Sequence, residues 1–299
     1  MIETCCQFGP TLQLAGIVTE PTESSGAARS FTCVLVNAGL VPKFGPYRLY
    51  AQLARRLAQS AIRTLRFDLG DVGDSRPAHG GRTLEDRTRL EIAAAVDFSS
   101  EFDGRDATEG IVLGGLCSGA EDSFRYAEHD PRVTALLLID AFSYRTKGWG
   151  WRHRLHRTAR RSMRWLGMYE PINYGSASAI ASQASELPRL EYKQMEHGES
   201  SRILKILIAR GVHIHFIYTG GVRETFNHAG QLQTMFKGVD FKDLVSLDYF
   251  PRIEHLQALQ EERDSLIEAI AHRCEALGRR VDRRDSMPIS QDFAGASAY

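Results

Sequence analysis

Short apolar runs alternate with longer amphipathic segments along most of these 299 residues, and that rhythm leaves few folds open. "LQLAGIVTEP" (12–21), "FTCVLVNAG" (31–39), "IRTLRFDLG" (62–70), the start of "GIVLGGLCSGAEDSF" (110–124) and "RVTALLLIDAF" (132–142) read as strands. Several are apolar without a break, as expected of strands covered on both faces. Between them, "YRLYAQLARRLAQ" sets Leu49, Leu53 and Leu57 at helical spacing, and "TLEDRTRLEIAAAVDFSSEF" reads as a second helix. Strands and helices in alternation imply a parallel sheet flanked by helices on both faces.

The rhythm stops near residue 143. From there to about 205 the chain is rich in aromatics, arginine and serine, with helix-like pieces and no clear strand. It resumes with "VHIHFIYTGG", "LVSLDYF" and the helix "LQALQEERDSLIEAIAHRCEAL". The expected organisation is a core of residues 1–142 and 206–275, a helical cap at 143–205, and a polar C-terminal tail at 276–299. The 37 basic residues balance 37 acidic ones, which argues against a general role on nucleic acid or a membrane surface. No apolar stretch reaches the length of a membrane span, and "MIETCCQFGPTLQ" lacks both parts of a secretory signal, so a cytoplasmic location is expected. The five cysteines (Cys5, Cys6, Cys33, Cys117 and Cys274) have no metal-ligand spacing, and their odd number fits a reducing compartment.

Within the fourth apolar run, Gly115-Leu116-Cys117-Ser118-Gly119 has the spacing of a nucleophile elbow with cysteine at its apex. The spacing is steric: the central residue sits in a strained turn, and neighbouring backbone passes so close that only small residues fit on either side. The helix that follows directs its N–H groups at the apex, which favours a thiolate and a developing oxyanion. A packed cysteine in a tight turn is the plain alternative. Ser118 lies one position past the apex, where a residue offers its backbone N–H and does not attack.

At these residues the chain resembles the α/β-hydrolase superfamily, from about residue 12 to about 275. Within it the look is closest to cysteine-elbow members, such as the dienelactone hydrolases and the hydrolases found beside exosortase systems, and the wording "NAGLVPKFGPYRLYAQLARRLA", "LRFDLGDVGDS" and "GLCSGA" is similar to that last group. The resemblance implies the α/β-hydrolase fold: a mostly parallel central sheet flanked by helices, with a helical cap inserted after the sixth strand. It also implies a triad in the chain order nucleophile, acid, histidine. His255, in a loop after the last strand, meets the positional demand on the histidine; His213 and His215 share one side of an apolar strand and read as packing residues, and His129 reads as solvated. For the acid, Glu224 is the first candidate, displaced by one residue from the usual aspartate position, and Asp140 at the end of "ALLLIDAF" is the alternative. By position, the oxyanion hole is formed by the amides of Leu40 and Ser118. Asp68 and Asp74, in a turn similar to the superfamily's glycine- and serine-bearing one, are assigned to structure.

Arg48 is a candidate for binding an acidic group, or a structural partner of Asp68 or Asp74. Trp149 and Trp151, with Trp165 and Tyr169, either line an acyl pocket or pack the cap. The segment "WGWRHRLHRTARRSMRWLG" is strongly basic, with Arg152, Arg154, Arg157, Arg160, Arg161 and Arg164. It reads as a solvated helix face or as an electropositive mouth for an acidic substrate, such as an acyl group on a carrier protein. The expected activity is a cysteine-dependent acyl hydrolase, an esterase or thioesterase acting on a small-molecule acyl ester or thioester. An acyltransferase with an amine or alcohol acceptor and a catalytically silent scaffold are the alternatives. The chemistry requires no cofactor and no metal, and no motif for either appears; nucleic-acid and membrane partners are not expected.

Overall fold

The computed structural model describes residues 1–22, 31–76, 82–101, 110–165, 195–255 and 257–285. Among these residues eight strands form one sheet: β1 (Ile2–Phe8), β2 (Leu14–Glu20), β3 (Phe31–Val36), β4 (Arg63–Phe67), β5 (Gly110–Leu116), β6 (Val133–Ile139), β7 (His213–Thr219) and β8 (Val245–Phe250). Their spatial order is β1-β2-β4-β3-β5-β6-β7-β8. β2 runs antiparallel to both β1 and β4, and every pairing from β4 to β8 is parallel. β3 and β5 are buried along their whole length, as a parallel strand with helices on both faces must be.

β1 is not signalled by the sequence rhythm, and its environment explains why. It is an edge strand, exposed at most positions, so it carries no apolar run. Polar side chains hold it: Glu3 accepts hydrogen bonds from Arg55 and Arg66, each at 2.8 Å. Cys5 is exposed and Cys6 half-buried, on opposite faces of the strand.

Two helical layers cover the sheet. On one face lie α1 (Leu49–Gln59) and the long α7 (Gln260–Asp285); Leu53 and Leu57 pack with Leu266, Ile270 and Cys274 over β3 and β5. On the other lie α2 (Leu84–Glu101), α3 (Ser118–Ala127), α5 (His197–Ala209) and the short α6 (Gln231–Met235), whose apolar sides join β5, β6 and β7 in the larger core. α4 (Trp149–Trp165) follows β6 and occupies the start of the expected cap. The rest of that segment, residues 166–194 with Tyr169, lies outside the described residues, as do the side chains of Arg157, Arg160, Arg161, Arg164 and Trp165 and the end of the tail, 286–299.

Two expected boundaries shift. The division at 205/206 falls inside α5, and Met195, Ile203, Leu204 and Leu207 are buried in the same core as Phe124 and Ile214. Main-chain accounting agrees, since Glu121 accepts the Met195 N–H at 3.1 Å and Tyr144 donates to the Met195 carbonyl at 2.9 Å. The core therefore resumes by residue 195. At the other end α7 continues past residue 276 to Asp285. Because Leu204 is fully buried, Leu204→Ala is expected to lower unfolding free energy by about 2–5 kcal/mol. Urea denaturation checks this; a loss under about 0.5 kcal/mol would place α5 outside the core.

Candidate active site

The parallel strands β3, β5, β6, β7 and β8 all end on one edge of the sheet, and the loops leaving that edge hold the residues singled out above. β5 passes into α3 through Cys117, whose backbone has φ 55° and ψ −118°. This is the strained apex of an elbow. Its close quarters are measurable: a Cβ on Gly115 would lie 2.8 Å from the Val36 carbonyl oxygen, and one on Gly119 would lie 2.6 Å from those of both Val36 and Asn37. Cys117 N donates to the Ile139 carbonyl at 2.8 Å, and Cys117 O accepts from the Ala120 and Glu121 amides, each at 3.1 Å. The Cys117 side chain is exposed above this anchored turn.

His255 lies near enough to Cys117 for the sulfur to favour its protonated form. Its Nδ1 donates to Asp140 Oδ2 at 2.8 Å, so the other ring nitrogen remains for Cys117. Asp140 directly follows β6, has φ 46° and is buried. Its carboxylate also accepts from Thr219 N at 2.7 Å and from Thr219 Oγ1 at 2.6 Å. The Thr219 hydroxyl in turn accepts the Gly221 N–H at 3.0 Å. Gly221 has no room for a side chain, since a Cβ there would sit 2.4 Å from His255 Cβ. The hydrogen bond to Asp140, and then the neighbouring Cys117 side chain, push the imidazole pKa up to about 10, against the opposing effect of burial.

The carboxylate at the histidine is therefore Asp140, and the preference for Glu224 is corrected. Glu224 is exposed, and its backbone carbonyl is occupied by Arg145 Nε at 2.8 Å. Thr219 and Gly221 had not been singled out; the paired glycines after a buried strand were the available signal of a close approach.

The loop after β3 brings a second group of amides to the elbow. Asn37, itself buried, donates to the Gly39 carbonyl at 2.8 Å and accepts the Leu69 N–H at 2.9 Å. Gly39 N donates to Ser118 Oγ at 2.7 Å. Among the described residues no acceptor claims the Leu40 amide or that of Ser118, the first residue of α3. The Leu40 side chain is 68% exposed.

The fold has counterparts among solved structures. An α/β serine hydrolase homologue from Coxiella burnetii superposes with a TM-score of 0.54 at 13% identity, over 91% of this chain and 96% of its own. An α/β hydrolase from Penicillium sp. sh18 gives 0.55 at 16%, over 94% and 99%. An esterase from Pyrococcus furiosus gives 0.56 at 14%, over 91% and 89%. This is the α/β-hydrolase fold. No protein-family model matches the chain, and no curated protein matches its sequence.

Several other residues singled out in the sequence take structural places or lie exposed. Lys43 and not Arg48 pairs with Asp68 at 2.7 Å and Asp74 at 2.5 Å, while Arg48 is exposed at the start of α1. Trp149 donates through Nε1 to the Arg223 carbonyl at 3.3 Å and lies under the Arg145 guanidinium, 4.2 Å from the ring centre. It packs against the turn that abuts His255. Trp151 is 59% exposed. His215 is buried, bonded to Ser246 at 2.8 Å and paired with Asp248 at 3.1 Å, whereas His129 is exposed. Arg223 pairs with Glu254 at 2.9 Å, which turns that carboxylate away from His255.

Since the Asp140 hydrogen bond is the largest cause raising the His255 pKa, Asp140→Asn is expected to lower it, leaving the imidazole neutral across a wider alkaline range. Titrating the His255 ring proton by NMR in both proteins checks this. An unmoved midpoint would mean that Asp140 does not hold the imidazolium.

Proposed function

We propose that the protein is a cysteine-dependent acyl hydrolase, an esterase or thioesterase working through an acyl-cysteine intermediate. The observation that carries this reading is an exposed elbow cysteine beside an imidazole whose Nδ1 is held by a buried carboxylate. The hydrolase and esterase descriptions of the fold neighbours agree with it in class, although serine is named for one of them.

In this cycle the Cys117 thiolate forms an ion pair with the His255 imidazolium, which Asp140 orients and stabilises. The sulfur attacks the acyl carbon and the carbonyl electron pair moves to oxygen. The Leu40 and Ser118 amides receive that oxyanion, aided by the positive end of α3. Collapse of the tetrahedral adduct expels the alcohol or thiol, which takes its proton from His255. The imidazole, now neutral, removes a proton from water, and the hydroxide adds to the thioester carbon. Its collapse releases the acid and restores the ion pair. A small-molecule acyl ester or thioester is the substrate class this chemistry accepts. The exposed Trp151 and Arg48 are candidates for contacting its remote part.

Cys117→Ala is expected to lower kcat for p-nitrophenyl esters or acyl thioesters by at least about 10³-fold while leaving the fold intact. Wild-type rates in the alanine variant would reduce the elbow to a scaffold feature. Cys117→Ser is expected to rescue little, because a hydroxyl, unlike a thiol, is not ionised and needs a neutral imidazole to take its proton. For an alkyl ester, whose alkoxide leaving group needs a proton, kcat/KM is expected to fall as pH rises through about 10, where His255 loses the proton it donates. A rate still climbing beyond that point would exclude the ion-pair mechanism.

A further inference from the structure

β3 and β5 pair in register as far as Val36 and Gly115. Beyond that point β3 leaves the sheet through Asn37 towards Leu40, while β5 continues through Leu116 into the elbow. The next rung of a parallel ladder would need an acceptor on β3 for the Leu116 amide. A side chain takes that place. Leu116 N donates to Tyr50 Oη at 2.6 Å, and the same hydroxyl donates to the Val36 carbonyl at 3.0 Å. Tyr50, in the first turn of α1, is fully buried. Burial pushes its phenol pKa upward, so the group stays neutral and can both donate and accept. The Val36 oxygen it caps is also one of the atoms against which Gly115 and Gly119 are packed. On the outer side of the same gap, Ser118 Oγ accepts the Gly39 amide at 2.7 Å.

We propose that Tyr50 is a positioning residue for the oxyanion hole: its hydroxyl, with that of Ser118 as outer counterpart, sets the spacing between the Leu40 and Ser118 amides. The inference rests on the function proposed above. The hydroxyl is one atom wide and bonded to both strand ends, so it holds them apart at the point where the two amides diverge. In Tyr50→Phe a buried N–H and a buried C=O lose their shared partner. They either stay unpaired or close on each other, and in both cases the hole loses its fit to a tetrahedral oxygen. The Cys117–His255–Asp140 contacts are anchored elsewhere, on β6, β7 and the loop after β8, and are left in place.

An alkyl trifluoromethyl ketone tests this without a known substrate. The Cys117 sulfur adds to the carbonyl carbon, the C=O electron pair moves to oxygen, and the ¹⁹F signal followed with pH reads the acidity of the adduct hydroxyl. In Tyr50→Phe that pKa is expected to rise by about one unit, with kcat for an ester down about tenfold or more. Alkylation of Cys117 by iodoacetamide, which builds no oxyanion, is expected to keep its rate and pH profile. Ser118→Ala, at a half-exposed position, is expected to give the same signature and carries the test if Tyr50→Phe fails to fold. Unchanged adduct acidity in the folded variants would overturn the proposal, and so would an equal loss in alkylation rate, which would assign Tyr50 to the cysteine–histidine pair. Failure of the wild type itself to form the adduct at Cys117 would remove the cysteine mechanism and the inference with it.

Discussion

The Val36 and Asn37 carbonyl oxygens press so closely on the elbow that residues 115 and 119 have room only for hydrogen. Most of the site follows from that crowding. It forces a glycine on each side of the apex and leaves Cys117 in a left-handed conformation that lifts its sulfur above the sheet edge. The same approach brings the chain after Asn37 directly over the start of α3. Gly39 N is bonded to Ser118 Oγ, so the loop carrying Leu40 meets the first residue of α3 although they are far apart in sequence. Close strand-to-helix packing and this loop contact are two consequences of a single steric arrangement.

The histidine side rests on a different device. Asp140 and Thr219 end neighbouring strands, β6 and β7, and a parallel sheet brings such ends to the same edge. Thr219 offers Asp140 a backbone and a side-chain donor, so the buried carboxylate is satisfied before His255 arrives. The turn that follows is glycine at both 220 and 221. The His255 loop settles on it, with Gly220 N donating to the Ile253 carbonyl at 2.8 Å. Positioning of the imidazole thus comes from Asp140 together with main chain and small residues, a stiff support for its orientation.

The fold was legible because doubly covered strands leave uninterrupted apolar runs, which little else in a chain of this composition produces. The elbow and His255 were legible because steric demand and chain order are both written locally. The acid was not. Glu224 and Asp140 both lie in loops after suitable strands, and the choice depends on where the turn after β7 sends its side chains; Arg145 and Trp149 hold that turn by its carbonyls, with Glu224 outward. β1 escaped notice because an exposed edge strand has no apolar pattern to display. The cap boundary was set too late because α5 follows a segment of unlike composition, although Ile203, Leu204 and Leu207 already had the spacing of a buried helical face. Tyr50 gave no signal at all: a tyrosine in an amphipathic helix looks the same whether its hydroxyl meets water or two strand ends.

In the proposed cycle a cationic imidazole suits a sulfur nucleophile better than a hydroxyl. A serine nucleophile needs a neutral imidazole to take its proton at the moment of attack. Here the histidine is flanked by a carboxylate on one side and a thiol on the other, and the pair favours the cation. A raised imidazole pKa hinders a hydroxyl and helps a thiol, because the thiolate is the reactive form and its counter-ion doubles as the acid for the leaving group. In the proposed cycle the proton that leaves Cys117 is the one His255 later gives away, and Asp140, through its hydrogen bond to Nδ1, governs how firmly it is held in between.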